Sequence, residues 1–167
     1  TLVNEFSDFA RMPKPLLKKN NIIEVVNNNI EILKNISKDI SINFNLKNQK
    51  PLLFMFDNEQ ISRVFFNLIK NSIESIKEKS IKSMDFDKII NIEINDRKDY
   101  ISISLSDTGI GFLKNNAKQL IKPYFTTKEK GSGLGLSIVN KIINDHDGNI
   151  NFMNTKIGAK IEIKLPK

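Results

Sequence analysis

The 167-residue chain contains no cysteine, no tryptophan and one histidine, His146. Without cysteine there is no disulfide scaffold, no thiol nucleophile and no cysteine-ligated zinc or iron–sulfur centre. A single histidine leaves almost nothing from which to build a zinc site or a histidine-based triad. No apolar run approaches the roughly 20 residues that span a bilayer, and no signal peptide opens the chain. What is present is ordinary for a soluble globular protein, 40% hydrophobic and 27% charged residues, in a length that fits one domain with a buried core. The chain opens in mid-pattern on Thr1, which reads as a fragment of a longer protein, with any anchor or partner domain lying upstream.

The net charge of +7 raises the question of a polyanionic partner. Residues 1–50 carry 8 Lys/Arg against 5 Asp/Glu, residues 51–110 carry 8 against 10, and residues 111–167 carry 10 against 4. The excess is C-terminal and concentrated in residues 112–132, so it is a local basic cluster and not a basic coat. The abundance of Asn, Ile and Lys fits an AT-rich coding bias, which accounts for part of the basic character.

Residues 1–11 read as the end of a helix with Leu2, Phe6 and Phe9 on one face. Met12-Pro13-Lys14-Pro15 stops it, since each proline removes a donor and disfavours helix in the residue before it. Residues 12–20 therefore read as a linker. Ile22, Val25, Val26, Ile30 and Leu33 predict a helix over about 21–36. Ile40–Leu46 alternates as a strand, and Leu52–Phe56 reads as a short buried strand. Asp57 predicts an N-cap with Gln60 as its reciprocal partner, opening a helix to about Lys79. Ile90, Ile92, Ile94 and Ile101, Ile103, Leu105 predict a hairpin. A glycine-bearing loop runs from Asp107 to about Gly133, followed by a helix over 134–145 and a strand pair at 148–153 and 160–165. This order predicts an α+β protein: a two-layer α/β sandwich with a mixed, mostly antiparallel sheet and helices on one face.

Four segments carry chemistry. Asn67 and Asn71, at i and i+4, project from one helix edge; their amide oxygens suit a hard cation such as Mg²⁺, which completes its shell with water and phosphate. Alone they also read as solvated or capping asparagines. Asp107-Thr108-Gly109-Ile110-Gly111 follows a strand, so its carboxylate could accept from an exocyclic amine such as that of adenine; alone it also reads as a strand-ending turn. Tyr124-Phe125-Thr126-Thr127-Lys128 suits a loop anchored by rings and touching phosphate, or one simply anchored in the core. Gly131-Ser132-Gly133-Leu134-Gly135-Leu136 opens a helix whose N–H groups bind anions, although it matches neither a P-loop nor G-x-G-x-x-G.

In this order and spacing the four segments resemble the N, G1, F and G2 boxes of the GHKL (Bergerat) ATP-binding fold. His146-Asp147-Gly148-Asn149-Ile150 is similar to that family's His-x-Gly-x-Ile turn, and Gly158-Ala159 with Leu165-Pro166 to its closing strand. The resemblance covers the chain from about residue 20 to the end, and residues 21–167 are then the catalytic ATP-binding domain. Val3–Pro13 resembles the end of the dimerisation helix in nitrogen-regulation sensor kinases of the NtrB/NtrY type, which makes residues 1–11 the remnant of a dimerisation and phosphoacceptor domain. The resemblance implies that Asp107 binds the adenine amine, that Gly109 and Gly111 let the nucleotide approach, and that Asn71 ligates Mg²⁺ with Asn67 in support. It also implies that Gly131, Ser132, Gly133, Leu134 and Gly135 present backbone to the phosphates of ATP. Residues 112–132 become a lid whose Thr126, Thr127, Lys128 and Lys130 meet the phosphates. Lys70 is a further candidate, although it points about 100° from Asn71 on a helix. His146 reads as structural.

Hydrolysing members of the superfamily carry Glu where this chain has Asn67. An amide cannot take a proton from water, so the resemblance implies a phosphoryl donor to a positioned histidine rather than a fast ATPase. The acceptor would lie on a helix outside the chain, leaving this fragment inactive in autophosphorylation. Implied partners are that dimerisation and phosphoacceptor domain, a receiver domain of a response regulator, and a second copy in the full-length homodimer. The implied location is a cytoplasmic domain, with an inner-membrane anchor an option for the full-length protein. Ala159 departs from relatives that carry threonine there and bind adenine through water. The competing reading is a nucleotide-binding regulatory module without useful catalysis. Nucleic-acid binding is not expected, because Tyr124 and Phe125 alone flank the basic cluster.

Overall fold

The computed structural model describes residues 12–46, 50–83, 85–112, 117–123 and 133–167. The expected helix over residues 1–11, with Leu2, Phe6 and Phe9, lies outside the described residues.

The fold begins with a polar strand, β1 (Lys18–Asn21), paired antiparallel with β3 (Leu53–Phe56) in a two-stranded ribbon. The last three residues of the segment read as a linker are thus tied into the domain. Asn21 then caps helix α1 (Ile22–Lys34): its Oδ1 accepts from Ile23 N at 3.3 Å and Leu52 N at 3.2 Å, and its Nδ2 donates to Glu24 at 2.9 Å. The strand expected to be buried, Leu52–Phe56, is buried on one face only. Phe54 and Phe56 face the core while Leu53 and Met55 are half-exposed, because a two-stranded ribbon lying on a domain has one covered face.

Asp57 caps the long helix α2 (Asn58–Lys82), accepting from Glu59 N and Gln60 N at 3.0 Å each. The reciprocal partner differs from the expectation. Gln60 Nε2 donates to Pro13 O at 3.0 Å, and the Asp57 N–H donates to His146 Nε2 at 3.1 Å. The second Asp57 oxygen accepts from Leu16 N at 2.8 Å. Burial pushes the Asp57 carboxyl up, but the N–H groups of Gln60, Leu16 and Glu59 outweigh it and hold it below its ordinary value. This end of α2 therefore fastens the incoming chain.

The main sheet contains β2 (Ser41–Leu46), β4 (Ile89–Asp96), β5 (Tyr100–Asp107), β7 (Ala159–Pro166) and β6 (Asn149–Asn154), in that spatial order. β2 and β4 are parallel and the other pairs antiparallel. The register aligns apolar rows across the strands: Ile92, Leu105, Ile161 and Phe152 in one, Ile94, Ile103, Ile163 and Ile150 in the next. Strand alternation puts these rows on one face, where they pack with α1, α2 and α4 (Gly135–Asp145) in one core. Helix α2 packs against both α1 and α4, and Asn29 Nδ2 donates to Ser62 Oγ at 2.9 Å between α1 and α2. A single turn, α3 (Ala117–Leu120), interrupts the segment expected to be loop. The expected α+β sandwich with a mixed, mostly antiparallel sheet is the observed architecture.

Removing the Asp57 side chain leaves three N–H groups without their acceptor. Asp57→Ala is expected to cost about 1–2 kcal/mol at neutral pH. Because the folded-state pKa is depressed, this stabilisation is present above the ordinary carboxylate range and is lost as pH falls through the depressed value. Urea denaturation of both proteins across that range checks it: the gap should close in acid, and a gap independent of pH contradicts the capping account.

Candidate functional site

The edge of α2 beside its core stripe carries two interleaved polar series. Asn67, Asn71 and Ser75 follow one another at four-residue intervals, and Ser72, Ser75 and Lys79 stand at i, i+3 and i+7. Both series face one side of the helix. From Ser75 back to Asn67 the helix covers about 12 Å.

At one end of this edge lies Asp107. It continues the inward row of β5 after Ile101, Ile103 and Leu105, so a carboxylate occupies a core-facing position and is 6% exposed. Its Oδ2 accepts from Ser72 Oγ at 2.9 Å; its Oδ1 accepts from Gly109 N at 2.9 Å and Ala159 N at 3.4 Å. Burial pushes this carboxyl above its ordinary value, against the pull of those three donors and of the Lys79 charge. The turn after Asp107 is zipped to α2: Ile110 N donates to Ser75 Oγ at 3.0 Å, and Lys79 Nζ donates to Thr108 O at 2.8 Å. Thr108 Oγ1 donates to Asp87 O at 2.7 Å and accepts from Ile89 N at 3.0 Å.

The glycines of this turn make room for protein. A side chain at Gly109 would collide with Ser75, and one at Gly111 would lie 2.8 Å from Asn154 Oδ1. Gly111 has φ of 73°, a left-handed conformation natural to glycine. Asn154 clasps the following residue, accepting from Phe112 N at 2.7 Å and donating to Phe112 O at 2.8 Å. Gly158 packs directly on the backbone of Asp107 and Gly109, where a Cβ has no space.

At the other end of the edge lies the start of α4. A Cβ built on Gly135 would be 3.3 Å from Asn67 Oδ1 and 3.8 Å from Asn71 Nδ2, so both amides border the first turn of that helix. The first N–H groups of a helix have no partner within it, and here they belong to Gly135 and the residues after it. Asn67 is oriented by its own Nδ2, which donates to Arg63 O at 2.8 Å. Asn71 is half-buried and makes no side-chain hydrogen bond among the described residues. Lys70 is exposed, with its ammonium 3.9 Å from Glu74 on the same helix, and is not brought to the Asn67–Asn71–Gly135 corner. Gly133 and Leu134 lead into α4, Gly133 with φ of 69°. Thr126, Thr127, Lys128, Lys130, Gly131 and Ser132, with Tyr124 and Phe125, lie outside the described residues.

His146 is buried at the far end of α4. Its Nδ1 lies 2.8 Å from Ile142 O and its Nε2 accepts from Asp57 N, which fixes the ring proton on Nδ1. Both nitrogens are engaged by backbone, in keeping with the structural role expected for it. Among the described residues no three His, Cys, Asp or Glu side chains cluster to hold a metal. No described helix is long and apolar enough to cross a membrane.

A family profile described as histidine kinase-, DNA gyrase B- and HSP90-like ATPase matches residues 56–167. The chain belongs to this family. A putative NtrY-like sensor histidine kinase of Rickettsia conorii is 34% identical over 165 residues, covering 98% of this chain and 26% of the relative. The nitrogen regulation protein NtrY of Azorhizobium caulinodans is 30% identical over 164 residues, covering 98% of this chain and 21% of the relative. The chain thus spans about a quarter of the length of the curated relatives it matches. Among solved structures, the catalytic domain of the histidine kinase ThkA superposes with a TM-score of 0.78 at 27% identity, covering 90% of this chain and 95% of that one. Within the family this chain is an ATP-binding catalytic domain of the sensor histidine kinase type.

Asp107, Asn67 and Asn71 are candidates from the sequence; Ser72, Ser75 and Lys79, which hydrogen-bond Asp107 and the turn after it, are not among them. The signal was present in their i, i+3, i+7 spacing along an edge that also carries the asparagines. Because the Asp107 carboxyl is raised, its ionisation costs the folded state. That cost appears as pH climbs from the ordinary carboxylate range through the raised value and persists above it. Asp107→Asn keeps an acceptor for Gly109 N without the charge. It is expected to raise the melting temperature at neutral pH and to show a smaller gain in acid. Paired thermal melts check this, and a variant that melts lower at neutral pH contradicts it.

Proposed function

We propose that this domain binds Mg·ATP along the polar edge of α2 and donates the γ-phosphoryl group to a histidine outside this sequence. The observation that carries the reading is the placement of the Asn67 and Asn71 amides against the first turn of α4, one helix edge away from the buried Asp107 carboxylate. Asp107 would accept from the adenine amine. The α4 N-terminus would receive the phosphates, joined by Gly131, Ser132, Gly133 and Leu134 and by the lid residues Thr126, Thr127, Lys128 and Lys130. The Asn71 oxygen, a neutral donor in a half-buried position, fits Mg²⁺, with Asn67 in support. When bound, that ion neutralises triphosphate charge.

In the transfer, the acceptor imidazole nitrogen forms a bond to the γ-phosphorus while the bond from that phosphorus to the β–γ bridging oxygen breaks. ADP leaves and the imidazole proton is released. The domain's own part is positioning and electrostatics, which dominate phosphoryl transfer. The Asn67 amide cannot act as a base toward water, so the γ-phosphate is kept for the acceptor. His146 is unsuited as acceptor, since both ring nitrogens are engaged inside the fold. The acceptor domain, a second copy in the dimer, a response-regulator receiver and an inner-membrane attachment of the full-length protein belong to this reading.

Incubated with γ-labelled ATP alone, the chain should stay unlabelled. With a separately supplied dimeric acceptor helix pair from an NtrY-like kinase, label should appear on that pair. Asn71→Ala should reduce the transfer by about a hundredfold or more. Label on His146 contradicts the proposal. So does ATP binding with no transfer to any acceptor pair, which points to a regulatory nucleotide-binding module.

A further inference from the structure

Lys79 lies outside the asparagine and glycine motifs, in the last turn of α2, within a helix whose other lysines are solvated. Its side chain is half-buried and its ammonium is tied to backbone. Nζ donates to Thr108 O at 2.8 Å and to Ile157 O at 3.0 Å, and sits 4.6 Å from the centre of the Phe86 ring. Two of its three protons are thus directed at backbone carbonyls, and the cation rests over an aromatic ring.

The two carbonyls belong to the two backbone segments that hold Asp107. Thr108 follows it in the chain. Ile157 belongs to the β6–β7 turn, in which Thr155 N donates to Gly158 O at 2.8 Å and Thr155 Oγ1 accepts from Gly158 N at 3.0 Å. That turn presses Gly158 onto the Asp107 backbone and delivers the Ala159 N–H to Asp107 Oδ1. One cation therefore joins α2, the Asp107 turn and the β6–β7 turn. Ser72 on the same helix face sets the other carboxylate oxygen.

We propose that Lys79 is a positioning residue for base recognition: by clamping Thr108 O and Ile157 O together, it fixes the Asp107 carboxylate in the orientation that accepts from an exocyclic amine. The inference rests on the reading of Asp107 as the adenine acceptor. Lys79 does not touch the nucleotide; its effect is confined to the base end of the α2 edge. The Lys79 charge also opposes the burial that raises the Asp107 carboxyl, so it favours the ionised acceptor.

The test is titration calorimetry of ATP, GTP and inorganic tripolyphosphate against the chain, Lys79→Met, Lys79→Arg and Asp107→Asn. Methionine keeps the stem and removes the donors. Lys79→Met should weaken ATP binding about tenfold, the loss of one charge-assisted contact's worth of orientation. It should leave GTP and tripolyphosphate unchanged, so that the preference for ATP over GTP shrinks by the same factor. Lys79→Arg should restore most of that preference. Should Lys79→Met fail to fold, Lys79→Gln, which retains one donor group, carries the same comparison. Equal losses for ATP and GTP mean general loosening of the fold and overturn the inference. An unchanged ATP preference in Lys79→Met with a lost preference in Asp107→Asn overturns it while sparing the adenine reading. An unchanged preference in Asp107→Asn overturns both.

Discussion

A carboxylate in a row of isoleucines is the constraint on which the site depends. Asp107 stands where the alternation of β5 calls for another apolar side chain. A buried charge is costly unless it is hydrogen-bonded, and three neighbouring segments meet that demand. Helix α2 supplies the Ser72 hydroxyl, the following turn supplies the Gly109 N–H, and β7 supplies the Ala159 N–H. The glycines at 109 and 158 are explained by the same demand, since only without side chains can the turns come close enough. The carboxyl nevertheless stays above its ordinary value, the shift that burial imposes, and shifts of that kind cluster at functional sites.

Helix α2 translates that local arrangement into a long site. The face that secures Asp107 through Ser72, Ser75 and Lys79 runs on into Asn71 and Asn67, which border the start of α4. Its N-terminal end is occupied differently. There Asp57 and Gln60 hold the entering chain at Leu16 and Pro13, and His146 joins the Asp57 backbone to the end of α4. The two helices that border the candidate phosphate position are therefore fixed to one another at the opposite end by the chain's only histidine. Such cross-bracing suits the proposed phosphoryl transfer, in which positioning dominates.

What could be read from the sequence followed from local periodicity. The rows Ile90–Ile92–Ile94 and Ile101–Ile103–Leu105 alternate strictly, and the Asp57 cap precedes its helix directly, so the hairpin and α2 were legible. All seven glycines fall after residue 108, which singled out the G1 and G2 segments. What was not legible depends on residues distant in the chain. Gln60 bonds to Pro13, 47 positions away, in place of its local capping partner. The strand β1 is Lys-Lys-Asn-Asn, without alternation, and exists because β3 offers it an edge. Lys79 is one of several lysines on α2 and reads as solvated until the 155–158 turn is seen beside it.

A nucleotide bound as proposed lies lengthwise along α2, base at Asp107 and phosphates at Asn71 and Gly135. Amide chemical-shift mapping with adenosine and with Mg·ATP tests this placement most directly. Adenosine should perturb Ser72, Gly109 and Ala159, and Mg·ATP should add Asn67, Asn71 and Gly135. Perturbations confined to the outer face of the sheet, or adenosine shifts centred on Gly135 rather than on Asp107, would contradict it.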